Sequence, residues 1–391
     1  MAALGLARKD QLMQNRASPG DILVLAGGAT GRDGIHGASF ASRSLEKENR
    51  SAVQIPDAFL EKLLLEATLE AAEAGILKAV KDLGGGGLSC CLSETSDSLG
   101  LGFEVDLEKV RSKEPGMSPE ELMISESQER MLFVVEPSSL GKLKEIFEKY
   151  ELGFSVIGSV ASHKDLVVKR DNRILARMPS GLVAHAPLFD WVAKRPRHLD
   201  RLAAARKPRA PRDMNRVLLH LLATASIASK KWVYQQFDHE VGIRTVLKPG
   251  DSDAAVLRLD NGKLISAKLD GNSKQCYLDP KNGTLGCLSE GYRNTICTGA
   301  EPIAIVDHLQ FGSPENPEVF WAFTEAVRAI VEFCEFMQLP VAGGKVSLYN
   351  ETAGGQIKPT PVIGTIGLME DARLVTRSSL KRGDSIFVIG H

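Results

Sequence analysis

Apolar residues at positions 60, 63, 64, 67 and 71 recur at the spacing of one helix face, and Pro56 and Gly75 bracket them, so the pattern predicts a helix from 56 that ends at Gly75. Residues 21–26 read as a buried strand, 79–83 as a short strand running into four glycines, and 131–136 as a further strand. Ser118 and Glu121 have the spacing of a capping box, 138–150 reads as a second helix, and 166–169 with 174–177 flank a polar turn at 170–173 as a hairpin. Further on, 254–259 and 264–269 flank Asp260-Asn261-Gly262-Lys263, a strong hairpin signal. A strand at 303–306, a long helix at 317–336 and a closing strand at 361–368 follow. Helices mixed with largely antiparallel signals make the expected fold class α+β.

The two ends of the chain resemble each other. Gly5-Leu6, a polar stretch, Pro19-Gly20-Asp21 and an apolar run closed by Gly27 are echoed by Gly367-Leu368, a polar stretch, Arg382-Gly383-Asp384 and an apolar run at 386–389, read as a strand, closed by Gly390. Such self-similarity points to a tandem repeat whose unit is two domains long. The expected layout is the tail of a preceding domain at 1–17, a first domain at 18–193, a basic linker at 194–217, a second domain at 218–370, and the start of a truncated further domain at 371–391. The basic stretch carries Lys and Arg against only Asp200 and Asp213, without aromatics to stack bases, and reads as a solvated linker.

Composition narrows the classes. In 391 residues, 48 Lys and Arg offset 49 Asp and Glu to a net charge of −1, which argues against nucleic acid as a partner. No apolar run approaches the roughly 18 residues of a membrane span, and no secretory leader is evident, so a cytoplasmic protein is expected. The six cysteines form no Cys-x-x-Cys pair and read as structural thiols.

Several constellations suit phosphate chemistry. The loop Gly27-Gly28-Ala29-Thr30-Gly31-Arg32-Asp33-Gly34-Ile35-His36-Gly37 follows a strand; its glycines let N–H groups approach an anion, and Arg32 offers a fork of donors. It is neither a P-loop nor a dinucleotide fingerprint. Asp82, at the end of a strand and before Gly84-Gly85-Gly86-Gly87, suits either a magnesium ligand or a cap for the next helix. Ser125-Glu126-Ser127-Gln128-Glu129-Arg130 precedes an apolar strand and offers either capping groups or partners for a polyhydroxylated ligand. Asp307, read as ending a strand, and Gly343-Gly344-Lys345-Val346-Ser347 suit either a nucleotide or ordinary turns. His36, His239 and His308 are read as structural.

Taken together, these stretches resemble formylglycinamide ribonucleotide amidotransferase, also called phosphoribosylformylglycinamidine synthase. Gln54-Ile55-Pro56-Asp57, Gln236-Phe237-Asp238-His239, Asp270-Gly271-Asn272-Ser273, Gly299-Ala300-Glu301-Pro302 and Phe311-Gly312-Ser313-Pro314-Glu315 extend the match in family order across nearly the whole chain. The resemblance implies tandem domains of the aminoimidazole ribonucleotide synthetase-like fold, a C-terminal-type domain and then an N-terminal-type one. It implies ATP as co-substrate, Mg²⁺, and formylglycinamide ribonucleotide, with a glutaminase subunit and a small bridging subunit as partners in the multi-subunit type. By resemblance, Gln54, Glu126, Ser127, Gln128 and Ser347 contact the ribonucleotide, Asp307 and Gly344 contact ATP, and Asp82 ligates the metal. The family's catalytic histidine is expected upstream of Met1, so the chain alone is expected to be inactive. Lys345 departs from the pattern: many members have an Asn metal ligand there, an ammonium cannot ligate a cation, and Lys345 is read as a possible phosphate contact. The alternatives are a non-catalytic remnant or assembly module of the same fold, or a related ATP-dependent enzyme such as aminoimidazole ribonucleotide or selenophosphate synthetase.

Overall fold

The computed structural model describes residues 4–37, 52–205, 209–352 and 354–389, which fall into two compact units, 1–190 and 191–391. Unit one is built on β1 (Ile22–Gly27), α1 (Ala58–Glu73), β2 (Leu77–Asp82), α2 (Gly87–Leu99) and β3 (Gly102–Asp106). It continues with α3 (Pro119–Ile124), β4 (Arg130–Val135), α4 (Leu140–Lys149), β5 (Phe154–Ala161), β6 (Asp165–Arg170), β7 (Arg173–Pro179) and α5 (Ser180–Ala184). The strands form one sheet in the order β2-β4-β1-β5-β3-β6-β7, antiparallel except where β3 meets β6.

Period-two alternation divides the central strands between two cores. Leu23, Leu25, Leu132 and Val134 join α2 residues Leu88 and Leu92 on one face. Val24, Ala26, Phe133 and Val135 join Leu64, Ala67, Leu143 and Phe147, from α1 and α4, on the other. The expected local signals are present. Gly75 follows α1 at φ +68°; Ser118 and Glu121 form both bonds of the capping box; Asp171 and Asn172 turn the β6–β7 hairpin with positive φ; α1 itself starts at Ala58 rather than Pro56, with Asp57 as its N-cap.

Unit two contains α6 (Arg197–Ala203), α7 (Met214–Ala223), α8 (Lys231–Tyr234), β8 (Thr245–Leu247), β9 (Ala255–Arg258), β10 (Leu264–Asp270), α9 (Ser273–Leu278) and α10 (Pro280–Cys297). It continues with β11 (Glu301–Gln310), α11 (Pro317–Met337), β12 (Val341–Ser347), β13 (Glu351–Thr352), β14 (Gly355–Gln356) and β15 (Thr360–Met369). The main sheet runs β12-β11-β15-β10-β9-β8, and α9, α10 and α11 pack their apolar residues against Ile305, Leu309 and Ile363. No helix among the described residues is long and apolar enough to cross a membrane.

Four expectations change. The basic stretch is not wholly a solvated linker: α6 lies in it, Leu199 is buried, and His198 stacks on Tyr277 with ring centroids 4.5 Å apart. Asp307 does not end its strand but sits inside β11, which runs three residues further. Residues 343–347 are not a turn; they belong to β12, at the sheet edge, held by parallel pairing with β11. Residues 386–389 form no strand and are exposed, because no neighbouring strand pairs with them among the described residues, and Gly390 lies outside those residues.

Candidate functional site

In unit one the glycine loop after β1 is fastened to the segment between α3 and β4. The Gly31 N–H donates to Ser127 Oγ at 2.9 Å, Ser127 Oγ donates to Asp33 Oδ1 at 2.7 Å, and Ser125 Oγ donates to the Gly31 carbonyl at 2.7 Å. Lys113 Nζ lies 2.9 Å from the same Asp33 oxygen. Burial opposes the charge on Asp33, but Lys113 and Ser127 outweigh it and hold the carboxyl below the ordinary range. Asp33 Oδ2 is buried and has no hydrogen-bond partner among the described residues.

Glu126 joins three segments. Its Oε2 accepts from Gln54 Nε2 at 3.0 Å and its Oε1 from the Gly86 N–H at 3.1 Å, while the residue is 3% exposed. The loop wraps it closely enough that a Cβ on Gly37 would lie 2.5 Å from Oε2. Gln128 Nε2 donates back to the Glu126 carbonyl at 2.8 Å. The structure therefore brings Gln54, Glu126, Ser127 and Gln128 together beside residues 84–87. Glu126 and Ser127 spend their polar atoms on the protein, whereas Gln54 is exposed and Gln128 half-buried. Segment 125–130 is not an N-cap; Ser125 is the C-cap residue of α3.

Arg32, a candidate anion fork, is already engaged. Its guanidinium meets Glu114 and Glu121, each at 2.8 Å, and donates to the Gly116 carbonyl, with the hydrogen bond to Glu121 as the first cause of its raised pKa. Asp82 sits at the end of β2 with its side chain 73% exposed. It does not cap α2, whose N-cap is Gly86 in the left-handed region. Sequence reasoning did not single out Asp33, Lys113 or Arg130; the signals available were a place inside a glycine loop for Asp33 and a charge at the entry to an apolar strand for Arg130, and Lys113 carried none.

In unit two, parallel pairing of β11 with β12 sets Asp307 beside Gly344 and His308 beside Lys345. A Cβ at position 344 would lie 2.5 Å from Asp307 Oδ2 and 2.7 Å from Oδ1, so the carboxylate lies over a backbone that only glycine leaves uncovered. Burial raises the Asp307 pKa, and His308 partly offsets it. The Lys345 side chain is exposed and makes no ion pair or hydrogen bond with the described residues. Ser347 Oγ accepts from Asn350 Nδ2 at 3.1 Å, and the same amide donates to the Ser347 and Phe311 carbonyls, closing the turn after β12. Among the described residues no three His, Cys, Asp or Glu side chains cluster as a metal shell.

Residues 18–171 match the family model for the C-terminal domain of AIR synthase related protein, and residues 251–369 match the one for its N-terminal domain. A phosphoribosylformylglycinamidine synthase subunit PurL from Methanothermobacter marburgensis is 44% identical over 99% of this chain and 54% of its own length. The protein of the same name from Methanocaldococcus jannaschii is also 44% identical, with the same coverage. Among solved structures, Thermotoga maritima PurL complexed with FGAR is similar at TM-score 0.78 and 36% identity, over 93% of this chain and 57% of that one. The same protein complexed with ATP gives TM-score 0.75 and 34% identity, over 93% and 56%. The chain thus spans about half the length of the relatives it matches.

Proposed function

The chain belongs to the AIR synthase related family, among the phosphoribosylformylglycinamidine synthase subunits, and on that premise we propose that it is part of an ATP-dependent synthetase making formylglycinamidine ribonucleotide. The substrates are formylglycinamide ribonucleotide, ATP and ammonia derived from glutamine; the co-products are ADP and phosphate. The observation that carries this reading is similarity, over nearly the whole of this chain and about half of theirs, to proteins of that name, one of them solved with FGAR and with ATP.

An amide oxygen is a poor leaving group. Transfer of the γ-phosphoryl to it gives an iminophosphate; ammonia then attacks the imidate carbon and phosphate departs with the oxygen. The protein's work is to place the reactants and neutralise phosphate charge. Gln54 and Gln128 supply amide donors and acceptors to the ribonucleotide, with Glu126 and Ser127 holding the segment on which Gln128 sits, and Ser347 offers a hydroxyl to substrate. Asp307 and the Gly344 backbone beside it serve ATP. Asp82 fits a magnesium ligand: it is a hard oxygen donor, exposed and free of any capping duty. When bound, the ion supplies charge neutralisation for phosphate oxygens. A glutaminase subunit and a small bridging subunit complete the assembly, which works in the cytoplasm.

Two substitutions probe the ATP side. Gly344→Ala is expected to weaken ATP binding about tenfold, since its methyl must displace the Asp307 carboxylate, a loss of about 1.4 kcal/mol; calorimetry with ATP reads it. Lys345→Ala removes a point charge meeting phosphate and is expected to weaken ATP about fivefold, roughly 1 kcal/mol. An unchanged affinity would place that ammonium in solvent. The whole reading is tested by product formation from ATP, ammonium and formylglycinamide ribonucleotide, with the chain alone and with the other half of a relative-length synthetase in trans. Product in the complemented reaction supports it. No product and no ribonucleotide binding in either would make the chain an assembly module.

A further inference from the structure

We propose that Arg130 is a positioning residue that turns the backbone N–H of Gln128 outward as a donor to the ribonucleotide. The proposal rests on the functional reading above and adds to it a group that the reading does not use.

Arg130 is 2% exposed. Its Nε donates to the Ser127 carbonyl at 2.7 Å, one terminal nitrogen to Thr30 Oγ1 at 2.8 Å, and the other to the Ser125 carbonyl at 2.6 Å. All three acceptors are neutral. Asp33, whose charge favours the guanidinium, is hydrogen-bonded by Lys113 and Ser127 instead. Burial pushes the guanidinium pKa down to about 10, with Asp33 opposing, so the group stays charged at neutral pH. A buried cation without a hydrogen-bonded carboxylate is costly, and apolar residues of similar volume often fill such a place without loss of stability. Stapling alone does not account for it.

The positions of its acceptors do. Ser125 and Ser127 flank Glu126, and Thr30 lies in the glycine loop, so one rigid fork fixes two peptide planes relative to that loop. A trans peptide is planar, so the N–H of Gln128 is antiparallel to the Ser127 carbonyl that Arg130 holds. With the carbonyl drawn into the protein, the N–H is directed away from the guanidinium. It has no hydrogen-bond partner among the described residues. The Ser127 side chain, tied to Gly31 and Asp33, fixes the same plane from its other side. The result is a rigid donor next to the Gln128 carboxamide, suited to an oxygen of a phosphorylated or hydroxylated ligand, and the guanidinium polarises the peptide so that this donor is stronger.

The test uses the native enzyme containing this chain, with Arg130→Met, Arg130→Lys and Thr30→Val, and formylglycinamide ribonucleotide and ATP as the probes. Arg130→Met is expected to raise KM for the ribonucleotide at least tenfold while leaving KM for ATP within twofold. Arg130→Lys keeps the charge but cannot hold both carbonyls, so its rise should be intermediate. Thr30→Val removes one acceptor without touching the ribonucleotide segment and should give a rise of a few-fold, which keeps the test open if the Met variant does not fold. A folded Met variant with an unchanged ribonucleotide KM, or one whose two KM values rise together, overturns the proposal. Calorimetry on the wild type separates the two failures: no ribonucleotide binding there overturns the functional reading itself, whereas wild-type binding matched by the variants overturns only the role given to Arg130.

Discussion

Asp82→Asn is expected to reduce turnover by at least about 100-fold while leaving the fold intact. Even outer partners of metal ligands can cost up to about 100-fold when replaced, and a direct ligand should cost more. The reason is specific to this carboxylate. It stands at the end of β2, is mostly exposed, and its ion-pair partner among the described residues is Lys81, at 3.9 Å. Asn keeps an oxygen of similar shape but surrenders the negative charge that a hard divalent cation requires. Stability should change by no more than about 0.5 kcal/mol, the ordinary range for a surface substitution. Ammonia-dependent product formation measured against magnesium concentration is the readout, with thermal unfolding as the control. Wild-type activity at limiting magnesium would return Asp82 to an ordinary loop carboxylate.

What the sequence discloses and what it hides follow the range of the interactions. The capping box at Ser118 and Glu121, the helix stop at Gly75 and the Asp171-Asn172 turn depend on residues a few positions apart, so composition and spacing reveal them. The edge strand at Val341–Ser347 does not: two glycines and a lysine oppose strand propensity, and only pairing with Ile305–Gln310 makes it one. That pairing is also what carries Asp307 beside Gly344. Both residues were legible as candidates, but their contact was not. Arg32 is the opposite case. Its fork of donors was legible, yet the carboxylates that occupy it arrive from Glu114 and Glu121, far along the chain. Arg130 reads as one charge before an apolar strand, and its role emerges only once Thr30 is folded onto the same guanidinium. The resemblance supplied the family and the candidate residues; that Glu126 is buried and bonded to Gln54 and the Gly86 N–H, while Gln54 itself is exposed, required coordinates.

Asp307→Asn is expected to weaken ATP binding by roughly 10- to 100-fold, because hydrogen bonds to a charged partner contribute about 1.5–3 kcal/mol and the amide is nearly isosteric. The same change should leave the protein as stable at neutral pH, or more so. Burial raises the Asp307 pKa, with His308 only partly offsetting it. As pH rises from below the ordinary carboxylate value, the unfolded chain therefore releases this proton before the folded one does. In that window the folded state binds more protons, so stability falls with rising pH until the folded carboxyl has also ionised, and the penalty persists above it. Asn carries no charge to desolvate and removes the penalty. Wild type and variant should thus converge in stability at acid pH and separate, in the variant's favour, toward neutrality. Partial exposure of the side chain to water keeps that separation small. Thermal unfolding at acid and neutral pH, together with ATP calorimetry, checks both halves. A variant that binds ATP like wild type but melts lower at neutral pH would make Asp307 a structural residue of the β11–β12 pair.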